Sequence, residues 1–152
     1  MKAKKRILLI SSCGGHWVQM NRLRPAFEDH DVYFACTERA YAQAAPEGRF
    51  YYVPDASLKS NPLKILWLAF SVLAILIKIR PHVVLSTGAA PGFFALIFAK
   101  LIRSKTIWVD SIANVNELSV SGQKVGRFAD LYITQWEHLA REDGPQYFGS
   151  VV

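Results

Sequence analysis

Ser12-Cys13-Gly14-Gly15-His16-Trp17 follow directly on an apolar run, Ile7-Leu8-Leu9-Ile10. This pattern predicts a buried strand running into a glycine turn, with a helix opening just after it. In a parallel α/β sheet such a turn lies at the carboxyl end of the first strand, where ligands bind. Glycine lets the backbone approach a ligand closely, and a helix N-terminus offers free N–H groups to an anion. The chemistry on offer is capture of a phosphate-bearing ligand with an imidazole beside it. A tight turn carrying an inert histidine fits these residues equally well, because neither a full G-x-G-x-x-G nor a P-loop lysine is present.

Two further turns end on the same sheet edge. Thr87-Gly88-Ala89-Ala90-Pro91-Gly92 follows the apolar segment 82–86, and a polar stretch begins at Asp110-Ser111 and runs through Asn114, Asn116 and Glu117. Strands one and four are neighbours in a Rossmann order, so their turns face each other across the switch-point crevice. Two glycine turns, each opening a helix, suit a diphosphate better than a monophosphate.

The elements that must hold these turns read as alternating strands and helices. Strands are expected at 6–12, 31–36, 50–54, 82–86, 105–109 and 131–134. Helices are expected at 17–27 (interrupted near its end by Pro25), 38–45, 62–79 and 93–102, with a helical turn at 125–129. That order predicts an α/β fold with a Rossmann-like doubly wound parallel sheet. The chain's 152 residues, 51% of them hydrophobic, fit one domain over 1–152 with a real core. Cys13 and Cys36 read as buried or site thiols in a reducing compartment, not a disulfide framework. The histidines are scattered, so no metal site is expected. The basic start, residues 1–6, is not expected to be part of a signal peptide, because the apolar run behind it is too short.

Charge is distributed unevenly. The net charge is +6, and residues 56–109 contain no Asp or Glu but carry Lys59, Lys64, Lys78, Arg80, Lys100, Arg103 and Lys105. These cations flank long apolar helices and are not interleaved with exposed aromatics. An anionic membrane surface suits the pattern better than nucleic acid, and no nucleic-acid partner is expected. Within the helix at 63–79, residues 65–77 are uncharged. They cover about 20 Å, short of the roughly 30 Å of a bilayer core, so a full span is not expected. Apolar residues occupy every face. Either protein covers the helix entirely, or it inserts partway into the interface. Insertion would put Trp67 and Phe70 near the headgroups and Lys59, Lys64, Lys78 and Arg80 at the phosphates. A domain this small has little left to cover it.

The succession GGH, STGAAPG, VDS leading through VSGQKVGRFADLYI, and YFGSVV resembles the N-terminal domain of a GT-B glycosyltransferase. It is similar to the lipid-linked N-acetylglucosaminyltransferase of peptidoglycan assembly. It is closer to the membrane-anchoring subunit of the dolichol-linked N-acetylglucosaminyltransferase and to bacterial accessory subunits of two-chain exopolysaccharide or capsule transferases. The resemblance implies a single GT-B N-terminal-type domain that binds the acceptor of an inverting sugar transfer. The acceptor would be a polyprenyl-diphosphate-linked glycan. A UDP-sugar donor would sit on a partner, a donor-binding GT-B C-terminal-type subunit. No cofactor and no metal are expected in this chain. The segment YFGSVV falls where a second domain would start, hence the expectation of a separate donor-binding polypeptide. The implied location is the cytoplasmic face of the inner (plasma) membrane, peripheral or monotopic.

By the same resemblance Gly14, Gly15, Thr87, Gly88 and Ala89 would cradle the acceptor's diphosphate. His16 is a candidate base, neutral imidazole being suited to that work near neutral pH, or it only caps or holds the loop; Asp110 is a second base candidate or an acceptor-hydroxyl binder, and Glu117 a third candidate base or a loop support. Asn114 and Asn116 would bind sugar hydroxyls or shape the turn. Trp136, His138 and the tail either contact the partner or fold back on their own sheet. Two readings stand beside this one: a non-catalytic scaffold that recruits and activates a partner transferase, and a soluble nucleotide-binding Rossmann protein, against which the missing fingerprint argues.

Overall fold

The computed structural model describes residues 2–152. Its strands are β1 (Arg6–Ser11), β2 (Asp31–Cys36), β3 (Phe50–Tyr52), β4 (Val83–Ser86), β5 (Lys105–Val109), β6 (Leu131–Thr134) and β7 (Gln146–Tyr147). Its α-helices are α1 (Gly15–Leu23), α2 (Pro62–Ile79), α3 (Ala89–Leu101) and α4 (Val120–Val125). The strands form one seven-stranded sheet in the order β3-β2-β1-β4-β5-β6-β7. Every pairing is parallel. The order reverses between β1 and β4, so the switch point lies where the sequence pattern put it.

The apolar run of β1 feeds both faces of the sheet, as expected of a strand buried on both sides. Leu8 and Ile10 pack with Val84, Trp108 and the inner sides of α2 and α3. Ile7 and Leu9 pack on the other face with Trp17 and Met20 of α1, Phe34, Leu85 and Val109.

Local chemistry sets the helix ends. Asn61 caps α2, its Oδ1 accepting from Leu63 N–H at 2.8 Å, with Pro62 in the first turn. At the other end Arg80 adopts the left-handed conformation (φ 48°). Arg6 reaches over from β1, donating from Nε to the Ile79 carbonyl at 2.9 Å and from Nη2 to that of Arg80 at 2.9 Å. A guanidinium on the last carbonyls also complements the helix dipole.

Several boundaries differ from the sequence reading. The helix after β1 begins at Gly15, not residue 17, and ends at Leu23, where Pro25 forces residues 24–27 into a tighter 3-10 turn. The segment read as a short helix at 38–45 is 3-10 over Arg39–Ala44, capped by Glu38. Helix α3 begins at Ala89, not residue 93, because Pro91 sits in the first turn, where no N–H is needed. Helix α4 starts inside the stretch read as loop; Ser119 caps it by accepting from Gly122 N–H at 2.9 Å. Strand β7 lies outside the expected elements, since its two residues carry no apolar run.

Asp130, in the turn before β6, ties three elements together. It accepts from Lys100 Nζ at 2.6 Å, Thr106 N–H at 2.8 Å and Thr106 Oγ1 at 3.2 Å. Partial burial pushes its carboxyl pKa up, but the bonds from Lys100 and Thr106 outweigh this and hold it below the ordinary value. A depressed carboxyl stabilises the fold above its unfolded pKa of about 4 and loses that contribution as pH falls through the folded value. Asp130→Asn is therefore expected to cost about 1 kcal/mol at neutral pH, the side chain being a third exposed. In urea melts the difference from the parent protein should vanish at acidic pH; a difference that persists there would contradict this assignment.

Candidate functional site

The two glycine turns meet at the carboxyl edge of β1 and β4 and are locked by a reciprocal pair of hydrogen bonds. Thr87 Oγ1 donates to the His16 carbonyl at 2.6 Å, and His16 Nδ1 lies 3.0 Å from the Thr87 carbonyl. A carbonyl only accepts, so Nδ1 carries the hydrogen and Nε2 of the neutral ring carries the lone pair. Among the described residues nothing is hydrogen-bonded to Nε2. Gly88 packs against the His16 ring. A β-carbon there would overlap Cε1 and Nδ1, and its φ of 149° suits glycine alone. His16 is thus half-buried, held in one tautomer and one orientation.

The helix starts flanking this pair lack side-chain caps. Neither Gly14 before α1 nor Gly88 before α3 supplies one. The amides of Gly15, His16 and Trp17, and those of Ala89 and Ala90, have no protein partner among the described residues. A cleft of about 310 Å³ opens against α3, lined by Ser12, Asp55, Ala56, Ser57, Leu58, Lys59, Ala89, Ala90, Val120 and Ser121. It combines amides, hydroxyls and the Lys59 ammonium, which can donate to an anion, with the Asp55 carboxylate, which offsets the Lys59 charge.

The glycine-turn residues divide into two sets. Gly14, Gly15 and Ala89 keep their place at this edge, and Ala89 is one of the non-glycine residues with positive φ (68°). Thr87 and Gly88 do not contact ligand space as expected. Thr87 is fully buried with its hydroxyl and carbonyl committed to His16, and the Gly88 amide donates to Ser86 Oγ at 3.2 Å. Their role is to build the turn. Sequence reading missed the loop 55–59 as a cleft wall, because Asp55, Ser57 and Lys59 form no motif; only their position after a strand end marks them.

The structure does not leave Asp110 free to act as a base or an acceptor-hydroxyl binder. The residue is 1% exposed. Its carboxylate accepts from Trp108 Nε1 (3.0 Å), Asn114 Nδ2 (3.1 Å), Ser119 N–H (2.9 Å) and Ser119 Oγ (2.5 Å). All its lone-pair directions are used, so it organises the loop 111–119 and takes no proton from a ligand. Asn114 is part of that scaffold, whereas Asn116 and Glu117 are exposed on the loop. Tyr132, whose hydroxyl is buried without a partner, is held well above its ordinary pKa by burial and by the Asp110 charge. Gly122 and Gly126, one turn apart on the α4 segment, leave room for its ring.

A second buried network backs the loop. Gln19 Oε1 accepts from Gln135 Nε2 at 2.7 Å and Ile112 N–H at 3.3 Å, and Gln135 Nε2 also reaches the Asp110 carbonyl at 2.9 Å. The tail folds back here: Val151 N–H donates to Gln135 Oε1 at 2.8 Å, Trp136 Nε1 to the Ile112 carbonyl at 2.8 Å, and His138 Nε2 lies 2.6 Å from the Val115 carbonyl.

Beside the cleft, α2 turns Leu68, Val72, Leu76 and Ile79 inward and leaves its outer face apolar. Leu63 is 76% exposed, Trp67 64% and Phe70 60%; Leu101 at the end of α3 is likewise exposed. Lys64 and Arg80 are exposed at its two ends. Lys78 differs from expectation: its ammonium lies 5.4 Å over the Tyr51 ring, turned toward β3. Helix α2 is long and apolar enough to cross a membrane by length and composition, a property shared with core helices of soluble proteins; 28% of it is buried here.

Comparison with known proteins places this geometry. Residues 48–151 match the model of a family described as "Oligosaccharide biosynthesis protein Alg14 like". Over 118 residues the chain is 33% identical to the UDP-N-acetylglucosamine transferase subunit ALG14 of Candida albicans, covering 73% of this chain and 53% of that protein. It is 37% identical over 82 residues to the Yarrowia lipolytica protein of the same name, covering 49% and 38%. The matched region thus spans about half or less of these relatives. Among solved structures, Acinetobacter baumannii MurG superimposes with a TM-score of 0.77 at 14% identity, over 96% of this chain and 46% of that one. A UDP-N-acetylglucosamine 2-epimerase from Listeria monocytogenes, described as putative, gives 0.66 at 14% identity, over 88% and 40%. These likenesses establish the Rossmann-like, GT-B N-terminal type of fold.

Asp110→Asn replaces an all-acceptor hub with a group that points an N–H₂ at another donor. It should lower stability by about 2 kcal/mol and speed amide hydrogen exchange at Ser119 while leaving exchange in β1 unchanged. Unaltered exchange at Ser119 would remove Asp110 from its role as loop organiser.

Proposed function

The chain belongs to the Alg14-like oligosaccharide biosynthesis family, and we propose that it is the acceptor-binding, membrane-associated subunit of a two-chain glycosyltransferase. The relatives named as UDP-N-acetylglucosamine transferase subunits support UDP-N-acetylglucosamine as the donor. In this reading a second, donor-binding chain of GT-B C-terminal type holds it. The acceptor is a saccharide on a polyprenyl diphosphate, in exopolysaccharide or capsule assembly at the cytoplasmic face of the plasma membrane.

The observation that carries the proposal is the fixed tautomer of His16 between two uncapped helix starts. The acceptor's diphosphate lies against Lys59 and the amides of Ala89 and Ala90, with Gly14 and Gly15 on the other side of His16. The acceptor hydroxyl attacks the anomeric carbon of the donor. The bond from that carbon to the UDP oxygen breaks, UDP departs with the electron pair, and the hydroxyl proton passes to His16 Nε2. The step is a direct displacement with inversion. Asn116 and Glu117, exposed on the Asp110-organised loop, are placed to meet sugar hydroxyls.

The apolar face of α2 supports membrane association. An interfacial helix that buries Leu63, Leu66, Trp67 and Phe70 while Lys64 and Arg80 reach lipid phosphates lies in the membrane plane and does not span it. Helices and strands run antiparallel in this fold, so the carboxyl edge and its cleft then open sideways along the headgroup layer, where a lipid-linked diphosphate resides.

The test is reconstitution with the donor-binding subunit, a lipid-linked acceptor and labelled UDP-N-acetylglucosamine. His16→Ala should lower turnover by about 10²- to 10⁴-fold with little change in subunit assembly. His16→Gln, unable to take up a proton, should not rescue it. Full activity in both variants would instead mark the chain as a non-catalytic scaffold.

A further inference from the structure

The Tyr132 hydroxyl is buried without a hydrogen-bond partner among the described residues, at the edge of an otherwise complete network. An orphaned buried hydroxyl costs stability, and its retention needs a physical reason. Tyr132 stands on β6 with its ring against α4 and the turn that follows: a β-carbon on Gly126 would come 2.5 Å from Cε1. At the far end of the ring, a Cα hydrogen of Gly122 points into a space ringed by three oxygens. A β-carbon in its place would come 2.6 Å from Asp110 Oδ1, 2.8 Å from Ser119 Oγ and 2.8 Å from the Tyr132 hydroxyl. The phenol thus faces Asp110 across Gly122. Ser119 Oγ and Trp108 Nε1 both donate to Oδ1, so that oxygen has no lone pair left for a third donor.

Helix α4 is the element between them, and its first turn is lightly held. The helix has six residues, Gly122 among them, too few to be stable by propensity alone. Leu118 before it and Val125 at its end are buried, but Val120 is 62% exposed and Ser121 half-buried. Ser119 fixes the first turn: its N–H and Oγ both donate to Asp110, and its Oγ accepts from the Gly122 N–H. Val120 and Ser121 also form the α4 side of the 310 Å³ cleft.

We infer that the first turn of α4, residues 119–122, is a lid on that cleft with two alternative latches on Asp110. With the lid down, Ser119 Oγ donates to Oδ1 and the Tyr132 hydroxyl is idle. With the lid up, Ser119 and Gly122 move away from the sheet, Val120 and Ser121 withdraw from the cleft, and the Tyr132 O–H takes the place of Ser119 Oγ on Oδ1. The buried carboxylate keeps a hydroxyl donor in both states, so opening costs less than the loss of a charged hydrogen bond. Tyr132 stays in the sheet, and Leu118 and Val125 stay buried, which confines the motion to one turn. The inference goes beyond the acceptor reading and holds whatever occupies the cleft.

The test is amide hydrogen exchange of the full chain, read at Ser119 and Gly122 with β1 as internal reference, alongside thermal melting. Tyr132→Phe keeps the ring and removes only the second latch. It should slow exchange at both amides at least about tenfold, the factor carried by one hydrogen bond to a charged group, and leave the melting temperature unchanged or higher. Ser119→Ala removes the first latch and should speed exchange at Gly122 by a similar factor. Adding Tyr132→Phe to Ser119→Ala should then lower the melting temperature, because Asp110 loses both hydroxyl donors. Unchanged or faster exchange in Tyr132→Phe overturns the lid. So does an effect of Tyr132→Phe on melting that is the same in both backgrounds, the result expected of an inert buried hydroxyl. A lower melting temperature in Tyr132→Phe alone would mean that the hydroxyl already has a partner with the lid down, and it refutes the second latch as well.

Discussion

The reciprocal bond between Thr87 and His16 is the constraint on which the site depends. Each residue gives a hydrogen to the other's carbonyl, so two turns separated by 71 positions in sequence become one rigid unit. The pair joins β1 to β4 at the point where strand order reverses, the one place in a doubly wound sheet where neighbouring helix starts diverge and leave a crevice. It also sets the chemistry. With Nδ1 committed as donor, the neutral imidazole has its basic nitrogen open, and Gly88 keeps the ring from turning. A serine in place of Thr87 would keep the hydroxyl but lose the methyl that stiffens the rotamer.

A second tier of buried polar groups holds the edge in shape. Asp110 gathers the indole of Trp108, the amide of Asn114 and the backbone and hydroxyl of Ser119, while Gln19 and Gln135 bind each other, the Ser111 hydroxyl and the tail. Such networks are worth their desolvation only when nearly complete. Among the described residues the exception is the Tyr132 hydroxyl, buried beside Asp110 without a partner. The network explains why a long polar segment after β5 is ordered at all. It leaves Asn116 and Glu117 outward, on the surface that in the two-chain reading faces acceptor and partner.

Much of this was legible in the sequence because it depends on patterns a single strand or helix imposes. The Ile7–Ile10 run, the proline-bounded helix at 62–79 and the glycine turns gave the strand order and the switch point. The outward face of Trp67 and Phe70 follows from a helix with more apolar residues than one face can bury. What escaped was decided by tertiary partners. An aspartate after a strand end has the same sequence signature whether it meets solvent or four donors, so Asp110 read as a base. Thr87 and Gly88 read as phosphate binders because composition does not reveal that their polar atoms are already spent on His16 and Ser86. The loop 55–59 carries no site motif: Lys59 reads as a lipid-facing cation, and only the fold makes it a cleft residue. Lys78 has the sequence signature of a lipid-facing cation, but its ammonium lies over the Tyr51 ring.

The proposed division of labour places acceptor and base on this chain and the nucleotide sugar elsewhere. Its most direct measurement is calorimetric titration of the purified chain alone with UDP-N-acetylglucosamine, followed by incubation of the two with a lipid-linked acceptor. The account predicts no donor binding and no transfer until the donor-binding chain is added. Saturable binding of the nucleotide sugar and product formation by the lone chain would contradict it.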